Sequence, residues 1–264
     1  MDDSELLDHD NHQKYQMIIG MLNWIVMLGR LDIAYAVSSR KGHLKRALYV
    51  FGYLKRRPNR RIRIDSLNPI IIKNGTEDQF KYDVSAEMKE HYPDAVENVD
   101  KGVPEPLLDE LVITGFVDSD HAHDKVTRRS ITGLIILVGR TPVQYMSKRQ
   151  GAIETSTYGA EFMAMKTAVE EVMSVRYMLR CLGVKVSKAT HVLDDNRSMI
   201  LNATLKSSLL KKKHVSISYH MAREAAAAKI IHPIKTRGEN NFADVLTKAL
   251  VKNSFKELVN GILI

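Results

Sequence analysis

The second half of this chain is predicted to form an α/β fold, preceded by a small helical segment. From residue 111 onward, five short apolar, β-branched segments alternate with segments of helical periodicity. Their order is strand, strand, strand, helix, strand, helix, helix, strand, helix, which is typical of one sheet flanked by helices. Residues 15–55 carry apolar side chains at helical spacing, and we therefore expect helices there.

Composition limits the classes of function that this chain can have. Its 264 residues are enough for one large domain or two small ones. No apolar run is long enough to span a bilayer, and the acidic start is unlike a signal or transit peptide. The single cysteine, Cys181, excludes a disulfide framework and a cysteine-rich zinc site and indicates a reducing compartment. The net charge of +8 is compatible with a polyanionic partner.

The helical segment is strongly basic. Its helices are predicted at residues 15–28, 33–39 and 43–55, after a frayed lead-in at 1–11. No acidic residue interrupts the basic residues around the third helix, which are Arg40, Lys41, Lys45, Arg46, Lys55, Arg56, Arg57, Arg60, Arg61 and Arg63. With Tyr49, Phe51 and Tyr53 interleaved, this helix could bind a nucleic-acid backbone and stack bases. Alternatively, it is a solvated basic face whose aromatic side chains pack inward.

The middle of the chain separates two regions of different character. Residues 70–72 predict a short strand that ends at the turn dipeptide Asn74-Gly75. Residues 76–110 are acidic and contain three prolines, and we interpret them as a linker or surface insertion with a short helix near 85–91. The predicted division is a helical segment at 1–75, this insertion at 76–110, an α/β domain at 111–250 and an extension at 251–264.

The strands of the α/β domain are predicted at residues 111–117, 131–138, 141–146, 190–193 and 229–234. The second and third strands are close enough in sequence for an antiparallel hairpin. After the hairpin, a long helix is predicted to end near Gly183. Further helices are predicted at 197–204, from after residue 214 to about residue 228, and at 241–250.

The long helix carries one charged residue on its apolar face. That face consists of Glu161, Met165, Ala168, Val172, Val175, Leu179 and Leu182, at alternating spacings of four and three. A buried carboxylate without a partner is destabilising, so this interpretation requires a cation or a metal ion beside Glu161. The alternative is that Glu161 complements the helix dipole behind an N-cap formed by Ser156 or Thr157.

Four acidic residues occupy informative places: Asp118 at the end of the first strand, Glu161 at the start of the long helix, Asp195 at the end of the fourth strand and Asp244 in the last helix. Acids at such places can converge outside one sheet, and their mutual repulsion then requires divalent cations. Oxygen ligands suit Mg²⁺ or Mn²⁺, and two such ions about 4 Å apart hydrolyse phosphodiesters. Taken singly, Asp118 could belong to a turn, Asp195 could cap a helix and Asp244 could be a surface acid.

The motifs that surround these acids resemble those of a known family. They are GFVDSDHAHD (115–124), RSITG (129–133), SKRQ (147–150), TSTYGAEF (155–162), DN (195–196), KKKH (211–214), YHMARE (219–224) and NFADVLTK (241–248). Together they are similar to the ribonuclease H domain at the end of the polyprotein of copia-type (Pseudoviridae) retrotransposons. The motifs YQMIIG (15–20), RLDIAYA (30–36) and HLKRALYVFGYLK (43–55) resemble the tail of the reverse transcriptase that precedes this domain.

The resemblance implies a fold and a set of site residues. The fold is a ribonuclease H-like mixed five-stranded sheet flanked by helices. Asp118 would bridge two Mg²⁺ ions (Mn²⁺ being an alternative), Glu161 and Asp195 would share one ion, and Asp244 would hold the other; Asp120 would be a neighbour. The implied contacts to nucleic acid are Ser156 and Asn196, together with Lys148, Arg149, Lys211, Lys212 and Lys213 for phosphates.

The implied reaction is cleavage of the RNA strand of an RNA–DNA hybrid, leaving 3′-hydroxyl and 5′-phosphate ends. RNA would be selected through its 2′-hydroxyls and helix shape. The implied partners are the hybrid and the rest of the polyprotein, including the reverse transcriptase palm, with no membrane. The implied location is intracellular, in a cytoplasmic virus-like particle or the nucleus.

The chain departs from the family pattern at several positions. His121 replaces a tryptophan, Ser216 replaces an acid, and a stretch between Ser39 and Gly42 is missing. Because the palm is also missing, no DNA synthesis is expected. A non-catalytic nucleic-acid-binding remnant is therefore a second hypothesis. An integrase-type nuclease fits less well, since the glutamate here lies between aspartates. Separately, His121, His123 and Asp124 form a second cluster that could bind zinc.

Overall fold

The computed structural model describes residues 8–38, 44–67, 79, 81–124, 126–210 and 213–264, without the side chains of Arg46 and His214. Its strands are β1 (Ile113–Asp120), β2 (Ile131–Val138), β3 (Thr141–Arg149), β4 (Thr190–Asp194) and β5 (Ile231–Lys235). They form one sheet in the order β3-β2-β1-β4-β5. The β1–β2 and β2–β3 pairs are antiparallel, whereas β1–β4 and β4–β5 are parallel. The predicted mixed five-stranded sheet is confirmed.

The helices follow the predicted order. They are α1 (His9–Met27), α2 (Ala34–Ser38), α3 (Leu44–Arg56), α4 (Val84–Lys89), α5 (Thr157–Cys181), α6 (Arg197–Thr204), α7 (Ser216–Ala227), α8 (Asp244–Thr247) and α9 (Lys252–Ile262). Short 3₁₀ turns lie at Leu31–Ile33, Lys213–Val215 and Gly238–Asn240. None of the helices in the described ranges is both long enough and apolar enough to cross a bilayer.

The sheet separates two cores. On one face, Val117 and Val192 pack with α5 and α7, and on the other face Phe116 and Leu193 pack with α8 and α9. Because successive residues of a strand point to opposite faces, the parity of a residue decides which core it faces. Asp118 therefore shares the face of Phe116, and Asp194 shares the face of Val192. We call these the α8 face and the α5 face.

Three predicted elements differ from the structure. β1 continues to Asp120, so Asp118 lies inside the strand and not at its end. The predicted helix at 241–250 is wrong, because only the four residues of α8 are helical there and Lys248 is already extended. The predicted extension instead contains α9, whose Leu258, Val259 and Ile262 fill the core of the α8 face. Leu182, predicted on the apolar face of the long helix, is 66% exposed because it follows the end of α5.

The segment at 76–110 contributes to the core of the α5 face. Val84 and Met88 of α4 are buried there. Glu97 accepts hydrogen bonds from the guanidinium groups of Arg176 and Arg180 of α5, at 2.6–2.8 Å. The domain division stays a prediction, although this segment packs more closely than a linker. The predicted strand at 70–72, its turn at 74–75 and the residues Arg40, Lys41, Lys211 and Lys212 lie outside the described residues.

The N-terminal helices pack on the α8 face. Leu31 and Ala34 enter the core of that face, whereas Leu22, Ile33, Val37 and Ala47 form a small core between α1, α2 and α3. The hydroxyl groups of Ser38 and Ser147 lie 2.6 Å apart, which connects the end of α2 to β3. Of the three interleaved aromatic residues, Tyr49 is exposed, and Phe51 and Tyr53 pack inward.

Candidate active site

Three of the four predicted acids converge at one edge of the sheet. Asp118, Asp195 and Asp244 each offer a carboxylate oxygen, and these atoms lie within 4.8 Å of one another. Asp118 and Asp244 are buried, whereas Asp195 is partly exposed. Among the described residues, this group and no other has three or more acidic, histidine or cysteine side chains close enough together to hold one metal ion.

Strand register brings two of these acids together. Phe116 of β1 pairs with Leu193 of the parallel strand β4, so Asp118 and Asp195 each follow two residues later at the same sheet edge. Asp244 comes from the start of α8. Gly133 of β2, which pairs with Asp118, permits the close approach of α8, because a Cβ at this position would lie 2.6 Å from Thr247 Cγ2 and 2.8 Å from Ala243 O.

Asn241 fixes the turn that precedes Asp244. Its buried side-chain amide donates to Val117 O at 2.9 Å, and its Oδ1 accepts from Ala243 N at 3.1 Å. These two bonds tie α8 to the strand residue directly before Asp118. They also explain why the predicted helix does not begin at residue 241, since the amide bonds compete with helix formation.

Glu161 lies outside this group of three, on the α5 face. It is buried in the first turns of α5, and its Oε2 has no hydrogen-bond partner among the described residues. Burial, followed by the charges of Asp194 and Asp118, raises the pKa of Glu161 to about 10. Ser156 caps α5 by accepting from Gly159 N at 3.2 Å, as one interpretation expected. Gln150 holds the same turn to the sheet by donating to Ala160 O and Thr132 Oγ1.

Asp194 is a buried acid that sequence reasoning did not single out. It is 0% exposed on the α5 face; its Oδ1 accepts from Asn196 N at 2.6 Å, and no described group bonds its Oδ2. Burial raises the pKa of Asp194 well above its ordinary value. The signal was the Asp194-Asp195 pair at the end of a predicted strand, where one acid must point inward if the other points to the sheet edge.

Lys248 is a second residue that the sequence did not predict for the site, although it ends the motif NFADVLTK (241–248). Its ammonium Nζ is 3.1 Å from Asp118 Oδ1 and 2.8 Å from Asp244 Oδ1. The neighbouring Thr247 hydroxyl donates to Asp118 Oδ2. Burial lowers the pKa of Lys248, but Asp118 and Asp244 outweigh burial and the pKa lies above its ordinary value. Burial, then the charge of Asp118, raises the pKa of Asp244 to about 6.

The described residues among the predicted nucleic-acid contacts lie on several different elements. Asn196 caps α6 by accepting from Met199 N, so its Oδ1, like the hydroxyl of Ser156, serves a helix start. Lys148 on β3 and Lys213 before α7 are exposed. Arg149 donates to Asp124 Oδ2 at 3.2 Å.

The histidine cluster does not form a metal site. His121 Nε2 bonds Glu154 O, whereas His123 Nδ1 bonds Asp120 Oδ2 at 2.5 Å. Asp124 accepts from Arg149, so the three side chains of the zinc hypothesis each have a different partner.

The acidic residues fit a hard divalent cation. The donors are carboxylates without sulfur or imidazole, which suits an oxygen-seeking ion. Glu161 Oε2 and Asp194 Oδ2 are buried without a hydrogen-bond donor among the described residues. Burial raises the pKa values of Asp118, Glu161 and Asp244, and the charges of neighbouring acids raise them further, so a bound cation would favour the ionised form of all three.

Known proteins resemble the chain in sequence and in fold. No protein-family model matches it. The retrovirus-related Pol polyprotein from transposon TNT 1-94 of Nicotiana tabacum is 29% identical over 153 residues, which cover 56% of this chain and 11% of that protein. The corresponding polyprotein from transposon RE1 of Arabidopsis thaliana is 24% identical over 152 residues, covering 58% of this chain and 10% of that protein. The chain thus spans about a tenth of the length of these relatives.

Solved structures of ribonuclease H domains are also similar. The N-terminal RNase H domain of a Mycobacterium tuberculosis protein has a TM-score of 0.39 and 12% identity, covering 57% of this chain and 98% of that one. LC11-RNase H1 in complex with an RNA/DNA hybrid has a TM-score of 0.42 and 15% identity, covering 51% of this chain and 93% of that one. Both TM-scores are low, so the fold class rests on the strand order and pairing of the chain itself. Over more than half of its length, the chain is similar in sequence to the retrovirus-related Pol polyproteins of copia-type plant transposons.

Proposed function

We propose that this chain is a ribonuclease that cleaves the RNA strand of RNA–DNA hybrids by two-metal-ion phosphodiester hydrolysis. The observation that carries the proposal is the convergence of Asp118, Asp195 and Asp244 within 4.8 Å, with Glu161 on the adjoining face. The sequence similarity to retrovirus-related Pol polyproteins of transposons supports it.

The acids have distinct roles in this proposal. Asp118 would contribute to both ions, Glu161 and Asp195 would hold one of them, and Asp244 would hold the other. Bound Mg²⁺, or Mn²⁺ in its place, supplies an activated water and neutralises the charge that develops on the leaving oxygen. Asn241 and Gly133 position Asp244 over Asp118, and Gln150 positions the turn of α5 that carries Glu161.

A pocket near the start of α5 is proposed to receive part of the hybrid. Between the start of α5, α6 and the segment that follows α6 lies an open pocket of about 620 Å³, lined by Tyr158, Ser198, Asn202 and Ser208 among others. Hydroxyl and amide groups of this kind can bond the 2′-hydroxyls that distinguish RNA from DNA. Lys148 and Lys213 are exposed and are proposed to contact phosphates, as are Arg149, Lys211 and Lys212.

The test is cleavage of a labelled RNA–DNA hybrid by the purified chain in Mg²⁺, beside Asp118→Asn. We expect the loss of a bridging ligand to reduce the rate at least about a hundredfold, since even residues behind metal ligands contribute tenfold or more. Glu170→Gln, an exposed acid of α5, is the matched control and should cleave at the unchanged rate. Equal cleavage by wild type and Asp118→Asn would contradict the proposal.

One observation favours a second candidate, a nucleic-acid-binding protein without catalysis. Lys248 already supplies a positive charge to Asp118 and Asp244. Hybrid binding with a steep salt dependence but no turnover in Mg²⁺ or Mn²⁺ would support this candidate. For both candidate functions we propose an intracellular location, in a virus-like particle or the nucleus. For both we also propose association with a reverse transcriptase palm.

A further inference from the structure

We propose that Lys248 is a positioning residue that competes with one of the two metal ions: its ammonium group occupies the cation position between Asp118 and Asp244 and must leave before a divalent ion binds there. The inference rests on the proposed function in that it assumes a metal-binding site. It goes further by assigning an order to the two ions.

The contacts of Lys248 use the oxygens that a metal would need. Nζ lies 3.1 Å from Asp118 Oδ1 and 2.8 Å from Asp244 Oδ1. The second oxygen of Asp118 accepts from the Thr247 hydroxyl. Both oxygens of Asp118 are therefore engaged by consecutive residues of one segment, and an ion that binds Asp118 and Asp244 together has to displace the ammonium group.

Among the described residues, no such cation lies at the other half of the site, which consists of Glu161 and Asp195. Within the described ranges, no lysine, arginine or histidine forms an ion pair with Asp195 or Glu161. Glu161 Oε2 is buried with no described group to bond it. A divalent ion at Glu161 and Asp195 would relieve repulsion without displacing a side chain, so this half should fill first and at lower metal concentration.

Lys248 is able to leave its position. Its side chain is 36% exposed, and a lysine head group on a flexible stem can move into solvent while its methylene groups stay packed. Arg176 contrasts with it, since that guanidinium is 1% exposed and bonds both Glu97 and Lys188 O. Of these two basic residues, Lys248 is thus the one that a metal ion could displace from its carboxylates.

The test is a Mn²⁺ titration of the full 264-residue chain, with free Mn²⁺ followed by electron paramagnetic resonance. Wild type should bind with two unequal affinities. Lys248→Met should strengthen the weaker site about tenfold, which corresponds to the loss of one charge-assisted contact. Lys248→Arg keeps the charge and adds hydrogen-bond donors, so it should lower the Mn²⁺ affinity of the same site. This variant still tests the inference if Lys248→Met does not fold.

Lys166→Met is the matched control. Lys166 pairs with Glu170 at 2.7 Å with the same spacing of four residues that separates Asp244 and Lys248, but on the exposed part of α5. It should leave both Mn²⁺ affinities unchanged. Unchanged or weaker Mn²⁺ binding in Lys248→Met, or unchanged binding in Lys248→Arg, would overturn the inference.

The two proposals fail separately. If wild type cleaves hybrids but Lys248→Met binds Mn²⁺ as wild type does, only the competition is wrong. If Mn²⁺ affinities follow the expected order but no variant cleaves hybrids, the competition stands and the ribonuclease proposal fails.

Discussion

On the α8 face of the sheet, Asp118 and Asp244 share the ammonium group of Lys248, whereas on the α5 face Glu161 and Asp194 are buried without an ion-pair partner among the described residues. Both faces thus bury carboxylate groups, and the faces differ in whether a basic side chain is paired with them. The α8 face is neutralised in part by the protein itself, and the pKa of Asp244 rises only to about 6. The α5 face is not, and the pKa of Glu161 rises to about 10. The difference predicts that an external cation would stabilise the α5 face more than the α8 face.

The largest effect that tests this comparison is on stability. Glu161 has an ordinary pKa of 4.5 and a folded pKa of about 10, so the unfolded chain loses this proton first. The free energy of unfolding of metal-free protein should therefore fall as pH rises from about 4.5 toward 10. Glu161→Gln should remove that slope and stabilise the metal-free protein by about 3–5 kcal/mol at pH 8, since glutamine is already neutral, whereas Glu161 has to take up a proton when the chain folds. Urea unfolding in the presence of a chelator measures it.

Glu97 provides the opposite case at the other end of α5. Two arginines hold the pKa of Glu97 at about 2 against the effect of burial, so its contribution is present above pH 4.5 and is lost as pH falls toward 2. Glu97→Gln should destabilise the protein by about 3 kcal/mol at pH 7, because buried Arg176 loses its carboxylate. Stabilisation by both variants would mean that burial alone decides, and the comparison of partnered and unpartnered acids would be wrong.

A smaller effect is expected at Gly133, which brings α8 to the sheet. Gly133→Ala places a methyl group 2.6 Å from Thr247 Cγ2 and should cost about 1–3 kcal/mol in urea unfolding. It should also lower hybrid cleavage by moving Asp244 and Lys248 away from Asp118. Gly52→Ala, in the interior of α3 with open space around it, is the matched control and should stabilise by roughly 0.5–1 kcal/mol. Equal effects of the two substitutions would show that α8 can shift freely.

The smallest effect concerns the exposed basic residues. Lys148→Ala should weaken hybrid binding and reduce the slope of log K against log salt by about 1, as expected for one lost phosphate contact. Arg149→Ala should change the slope less, because Arg149 is already paired with Asp124. Fluorescence anisotropy at several salt concentrations distinguishes them, and identical slopes for Lys148→Ala and wild type would remove Lys148 from the proposed interface.

Sequence periodicity predicted the order of strands and helices along the chain and the approximate places of Asp118, Asp195 and Asp244, because strand ends and helix starts are local features. It did not show that Asp194 is buried, since the face of each residue depends on which strand carries the other acids. The end of the predicted helix at 241–250 was missed because Asn241 bonds Val117, more than a hundred residues earlier in the chain. Lys248 was not predicted as a site residue for the same reason, because its partner Asp118 is distant in sequence.

The small antiparallel bridge between Ile62 and Leu263 has a practical consequence for dissecting this protein. Arg61 and Ile264 exchange two backbone hydrogen bonds beside it, so the segment after α3 and the end of α9 are joined. Leu31, Ala34 and Ile262 cover the same core as Ile135 and Leu137 of β2. A fragment cut at residues 111 and 250 would lack this cover and expose apolar sheet surface to water. Expression boundaries for the sheet domain should therefore include α2 and α9.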